Sequence, residues 1–163
     1  MPSTIEEVKL WRSEKGMPAQ AEYPEAASQT FKRGDFVYLA SGKVTEAVAP
    51  GSNLKDDGNL AIGIAAGDAS GTTDQACSVI LLDDDLQICL PVTHATASSA
   101  ITAVTQVGTA YELENVTGYG YAVAIDNTGN PIAKVVEIAD QYPVGEQYGW
   151  VWVKIIAAER ALN

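Results

Sequence analysis

The side chains in this 163-residue chain that could do chemistry are few and scattered. Asp83, Asp84 and Asp85 offer enough oxygen for a cation, but adjacent residues on a turn point in different directions. A charged, solvated tip that discourages edge pairing is the expectation there. Asp56-Asp57-Gly58-Asn59 holds part of a calcium-loop pattern and lacks the carboxylate that an EF-hand places at its twelfth position, so it reads as a solvated turn. Cys77 and Cys89 flank a predicted hairpin. With a loop at Leu82-Asp83-Asp84 they face one another, and other registers move them apart. Nothing at the N-terminus reads as an export signal, so both are expected to be reduced, buried and apolar in character. With the single His94 they make too few ligands for zinc. His94 has no Ser or Cys beside it in a nucleophile motif, and Gly-x-Ser-x-Gly occurs nowhere, so a hydrogen-bonded or exposed imidazole is expected. There is no phosphate loop, dinucleotide fingerprint or HExxH. The plentiful carboxylates select no acid/base pair. The reading is a protein that is not an enzyme and holds no cofactor or metal. Asn115-Val116-Thr117 fits a glycosylation acceptor only by chance without export.

The aromatic residues are more telling. Gly149 to Ala157 (GWVWVKIIA) is the strongest strand pattern in the chain, with Val151, Val153 and Ile155 on one side and Trp150, Trp152 and Lys154 on the other. Two indoles on the side away from a core mark either an interface or a face covered by another part of the chain. Trp11 and Tyr23, in the N-terminal thirty residues, are the other large aromatics expected to make contacts.

Short strands must position these groups. Residues 36–40 and 43–48 are β-type runs joined by Ser41-Gly42, a dipeptide suited to a tight turn. Residues 60–66 carry Leu60, Ile62 and Ile64 on one face and Ala61, Gly63 and Ala65 on the other, small enough for a neighbouring backbone to approach closely. Residues 76–82 and 86–90 read as a hairpin around the aspartates, with Leu86, Ile88 and Leu90 inward. Residues 91–108 are either a loose connection or one short helix. Residues 109–113 alternate as a strand. Tyr119 to Ile125 alternates too, and Pro131 to Ala139 is expected to return as its partner, with Val136 and Ile138 inward. Residues 1–30 read as an arm, with a short helix over roughly 4–12 and an extended stretch around Pro18 and Pro24. That arm lies either on its own domain or across a neighbour. The rest, 31–163, reads as a single β domain. Strand-turn-strand units recur without a strict internal repeat. The fold class is all-β, a small barrel or sandwich of short antiparallel strands with an extended N-terminal arm.

Hydrophobic residues make up 47% of the chain, which suits a globular core. A net charge of −11 repels phosphate backbones, so direct nucleic-acid binding is not expected. No apolar run is long enough for a membrane span.

One stretch resembles a family. Gly34-Asp35-Phe36-Val37, then Ser41-Gly42-Lys43-Val44, then Ala61-Ile62-Gly63-Ile64-Ala65 is similar to the pattern of the small β-barrel decoration (cement) proteins of tailed-phage heads. Val107-Gly108-Thr109-Ala110-Tyr111 is similar to a later barrel-strand start in such proteins. The resemblance covers roughly residues 30–115. It implies a bacteriophage structural protein made in the host cytoplasm and carried on the outer surface of the virion head. There it would act as a homotrimer that clamps neighbouring major capsid protein subunits. Contacts are then expected from Trp11, Tyr23, Trp150 and Trp152. The competing reading is a carbohydrate- or ligand-binding β module whose platform is Tyr119, Tyr121, Trp150 and Trp152. A carboxylate-based hydrolase is the third.

Overall fold

The computed structural model describes residues 10–47, 55–56, 59–116, 120–140 and 144–156. It is all-β, with a closed five-stranded barrel and a further sheet. The strands are β1 (Leu10–Ser13), β2 (Gln20–Pro24), β3 (Phe36–Ala40), β4 (Lys43–Glu46), β5 (Lys55–Asp56), β6 (Asn59–Ala65), β7 (Ala76–Leu81), β8 (Leu86–Thr93), β9 (Ala110–Val116), β10 (Gly120–Ala124), β11 (Ala133–Ile138) and β12 (Trp150–Ile155). They form two compact units, one built on β2 to β7 and the other on β8 to β12. The expected boundary at residue 30 is not where the units divide. β2 lies inside the expected arm, yet it is hydrogen-bonded along its length to β7. The helix expected over 4–12 falls mostly outside the described residues, and residues 10–12 belong to β1.

In the first unit the strand order is β2-β7-β6-β3-β4, with β5 paired to β6. The β3–β4 hairpin turns at Ser41 and Gly42, both at positive φ (50° and 78°), the primed-turn geometry that matches strand twist. A parallel bridge between Glu25 and Val44 brings β4 back to the end of β2. Phe31, Val37, Val44, Ile62, Ala65, Cys77 and Val79 form its core. A Cβ on Gly63 would stand 2.2 Å from the Ile80 carbonyl oxygen, so the small face expected for β6 is what lets β7 approach.

In the second unit β8, β10, β9, β11 and β12 close into the barrel through the β8–β12 pairing. The registers place Ile88, Leu90, Val92, Leu113, Val123, Val135, Val151 and Val153 on one face, and all are buried.

The two units repeat one plan. Naming the strands of each in chain order a to e, both run a-e-d-b-c and return to a, with every neighbour antiparallel except c and a, which are parallel. The registers agree pair by pair. Val37↔Gly63 corresponds to Tyr111↔Ala133, Ala65↔Val79 to Val135↔Val153, and Leu39↔Val44 to Leu113↔Val123. Tyr23↔Cys77 corresponds to Leu90↔Val151, and Glu25↔Val44 to Val92↔Val123. Gly34 and Gly108 share φ 88°, and their N–H groups donate to Ala65 O and Val135 O, each at 2.8 Å. Residues coincide at Gln20/Gln87, Pro24/Pro91, Gly34/Gly108, Val44/Val123 and Val79/Val153. The chain therefore holds a structural repeat that its sequence does not display. A barrel constrains which positions are buried, and it leaves identities free wherever size and polarity suffice.

Two expected pairings are corrected. β7 and β8 form no hairpin: β2 and β6 occupy both edges of β7, while β8 pairs with β1, β10 and β12. All eight residues of β8 are buried, so the expected alternation is absent there. β11 does not pair with β10, whose edges are taken by β8 and β9; it lies between β9 and β12. A register shift between Val135 and Glu137 makes Val136 the extra residue, so Ala133 and Val135 are the fully buried ones rather than Val136 and Ile138. Residues 91–108 continue β8 to Thr93 and then make two 3-10 turns, Ala97–Ser99 and Val104–Gln106.

Candidate functional site: the outer face of the last strand

β12 pairs with β8 on one side and β11 on the other, so its backbone groups are committed to the sheet and its side chains carry any recognition. Its burial alternates as the sequence predicts. Val151 and Val153 have 0% exposure and Ile155 4%, while Trp150, Trp152 and Lys154 are half-buried. Trp152 stands opposite Cys89 on β8 and Glu137 on β11, and Trp150 opposite Pro91. Both indoles rest on Cys89 and Ala139, which are 0% and 1% exposed. Lys154 pairs across the strands with Lys134. The result is a row of two supported indoles and a lysine on the barrel's outer face.

The first unit supplies an internal control. Its e strand, β7, carries Ala76 and Ser78 at the register positions of Trp150 and Trp152. The same barrel plan thus forms with a methyl and a hydroxymethyl at those places. Folding does not demand the indoles.

The other expected contact residues lie elsewhere. Tyr23 occupies the position of Leu90 and packs half-buried against the first unit's core. Trp11 is half-buried in β1. The platform of Tyr119, Tyr121, Trp150 and Trp152 is not assembled. Tyr119 lies outside the described residues, and Tyr121 pairs with Asn115 two residues from Val123, on the barrel's inner face, whereas the tryptophans face out.

Of the residues with possible chemistry, Asp83, Asp85 and His94 make local structural contacts. Asp83 Oδ1 accepts the N–H groups of Asp85 and Leu86 at 2.9 and 2.8 Å, an Asx-type turn that redirects the chain from β7 to β8. Asp85 pairs with Lys15 at 2.5 Å, and that contact raises the lysine pKa, helped by the charges of Asp83 and Asp84. His94 Nδ1 accepts the Thr96 N–H at 2.9 Å, and its 3.8 Å separation from Asp126 is no hydrogen bond. Cys77 and Cys89 are buried thiols in separate units, not facing partners across a hairpin. Of Asp56-Asp57-Gly58-Asn59, only the backbone of Asp56 and Asn59 is described, as a paired position of β5 and β6. Asn115 lies in β9, and Thr117 is outside the described residues. Among the described residues no group of three or more His, Cys, Asp or Glu side chains is placed to hold a metal ion, and no helix is long and apolar enough to cross a membrane.

Sequence reasoning missed Glu25. It has 1% exposure, and its carboxylate accepts the Ser70 N–H and Oγ–H at Oε2 (2.8 and 2.9 Å) and the Gly71 N–H at Oε1 (2.6 Å). It thereby clasps the loop before β7 onto the end of the first unit. The only sequence signal was the paired Gln20…Pro24 and Gln87…Pro91, which sets Glu25 against Val92. Glu112 acts similarly in the second unit, accepting the Asn130 N–H at 2.8 Å and fixing the turn before β11. The chain matches no protein-family model and none of the curated proteins.

Proposed function

We propose that this chain is a structural virion protein that decorates an assembled phage head and stabilises it by clamping neighbouring capsid subunits. The observation that carries the reading is the indole pair Trp150 and Trp152 on a face where the twin unit has Ala76 and Ser78. Half-buried tryptophans on rigid strands are the usual anchors of protein interfaces, because large area is gained with little loss of side-chain freedom. The resemblance of residues 30–115 to cement proteins supplies the kind of partner. A protein that binds only the assembled shell adds its binding free energy to the cost of separating the subunits beneath it. The net charge of −11 suits a basic or mixed capsid surface. A homotrimer on that surface requires a heterologous interface that closes on itself.

The test is co-sedimentation with mature heads of the source phage that lack their own copy, with an unrelated acidic β protein as control. Saturable binding at a fixed ratio to the major capsid protein, lost in Trp150→Ala/Trp152→Ala while the fold persists, is the expected result. A truncation control removes only residues 1–9, because deleting 1–29 would take away β2 and unfold the first sheet. Absence of binding at micromolar concentration refutes the reading.

A further inference from the structure

Among the described residues three glutamates are at least nine-tenths buried, and only two of them are satisfied. Glu25 and Glu112 accept backbone N–H groups, as buried acids ordinarily do. Glu146 has 7% exposure, and its carboxylate receives no hydrogen bond and no ion pair, while its oxygens keep contact with solvent. The internal repeat shows what differs. Glu25 N–H donates to Gln75 O and Val92 N–H to Gly149 O, so Val92 holds the place of Glu25, and the loops that lead into β7 and β12 correspond. In the first unit the acid sits on the strand and the loop brings donors to it. In the second the acid sits on the loop, and the strand offers a valine.

The surroundings of Glu146 are apolar and uncharged. Ile101 bridges Gln147, Thr102 N–H donates to Glu146 O at 3.1 Å and Gly145 N–H to Thr102 O at 2.7 Å, so the two loops form a short antiparallel ladder. A Cβ on Gly149 would meet Thr102 Cγ2 at 2.8 Å and Glu146 Cβ at 3.2 Å, which places those two side chains together over Gly149. Five large apolar side chains are exposed among the described residues, and four of them belong to these two loops: Ile101, Val104, Val107 and Val144. Gln106 donates to Ile101 O at 2.8 Å and accepts the Ala103 N–H at 3.0 Å, which pins the turn that presents Val104 and Val107. Asp, Glu, Lys and Arg are absent from Leu86 to Tyr111, and Glu146 is the only one of them from Gln141 to Val153.

From the unpartnered acid within this uncharged apolar rim, we infer that the loop pair docks a segment of a partner protein in which a basic side chain is flanked by apolar ones. The cation completes Glu146, and its neighbours cover the exposed valines. A buried acid left without a partner costs stability, a cost that binding sites commonly carry until the partner arrives. Glu146 has already shed most of its water, so pairing gains more there than on an exposed surface. The chain's net charge of −11 favours approach of a basic segment. No phage head is needed to test this, so failure here and failure of capsid binding are separate results.

The experiment titrates the full ¹⁵N-labelled chain with N-acetyl-Val-Arg-Val amide, and separately with the Val-citrulline-Val and Gly-Arg-Gly analogues, following backbone amide shifts. Saturable shifts at Thr102, Gly145 and Glu146 are expected for Val-Arg-Val, with binding about tenfold weaker for the citrulline peptide and several-fold weaker for the glycine-flanked one. Glu146→Gln is expected to erase the preference for arginine over citrulline. Because it removes an unpaired acid, it is also expected to raise the thermal midpoint by a few degrees, opposite in sign to Glu25→Gln. No saturable shift at these amides, citrulline binding as well as arginine, or a lowered midpoint in Glu146→Gln overturns the inference. Gly-Arg-Gly binding as tightly as Val-Arg-Val overturns the apolar half of the recognition.

Discussion

Gly63→Ala is a single-methyl substitution at a position where the twin unit has alanine, and it is expected to be far from neutral. The added Cβ would lie 2.2 Å from Ile80 O and 2.5 Å from Val79 Cγ1, where real Cβ atoms essentially never come within 3.0 Å. The valine can rotate, but the carbonyl belongs to the β6–β7 ladder, where Gly63 pairs with Leu81 and Ile64 with Ile80. Relief therefore requires β6 and β7 to separate by most of an ångström, at the centre of a core whose members are almost fully buried. Overpacking of a well-packed site costs about 1–3 kcal/mol, and a backbone obstacle puts this case at the upper end. At 4–8 °C per kcal/mol for a unit of this size, the transition of the first unit should fall by roughly 10–20 °C. Ala133→Gly is the reciprocal control at the matching register position. It creates no clash and should cost only about 0.5–1 kcal/mol in strand entropy, plus the small loss of a buried methyl. Differential scanning calorimetry on both variants and the parent measures the pair. A midpoint for Gly63→Ala within a degree or two of the parent, or a larger loss in Ala133→Gly, refutes the close-approach argument.

Glu25→Gln keeps the shape of the clasp but turns one oxygen into a donor facing the Ser70 or Gly71 N–H. A loss of about 2–4 kcal/mol is expected from weakened charge-assisted bonds and one unmatched donor, read by chemical denaturation. Cys77 has a thiol pKa raised above its ordinary 9.0 by burial and by Glu25, so thiol-specific reagents at pH 8 should modify it far more slowly in the folded chain than in denaturant. Because the native state holds that proton more tightly than the unfolded chain, its contribution to stability is intact below pH 9 and declines as the pH rises above it. Cys77→Ala should flatten this alkaline limb, and an unchanged limb would remove Cys77 as its cause. Trp150→Ala/Trp152→Ala should leave the far-ultraviolet spectrum of the chain intact, since Ala76 and Ser78 occupy those places in the twin; loss of the β signal would make the indoles structural.

The sequence by itself determined what depends on local backbone and on the period of two. Ser41-Gly42 makes the β3–β4 turn because a two-residue connection needs positive φ twice. β12 buries its valines and turns its tryptophans outward because alternate residues of a strand face opposite ways. The small residues of β6 announce a close neighbour because nothing larger fits. Tertiary structure alone decided which strands meet. Whether β7 pairs with β8 depends on which of their edges other strands already occupy, and a turn signal between them carries none of that information. The bulge at Val136 reverses the inward residues of β11, a one-residue event invisible to a pattern of valines and isoleucines. Tyr23 reads as a contact aromatic in a proline-bounded arm that could lie on its own domain or across a neighbour, and long-range pairing with Cys77 is what packs it, half-buried, against the first unit's core. The repeat of one barrel plan is the largest case. Register and burial are fixed by hydrogen-bond ladders between residues far apart in the chain, and many side chains satisfy each position. Two units can therefore agree ladder by ladder while sharing few residues, and only their superposed registers show where Glu25 and the tryptophan pair depart from the common plan.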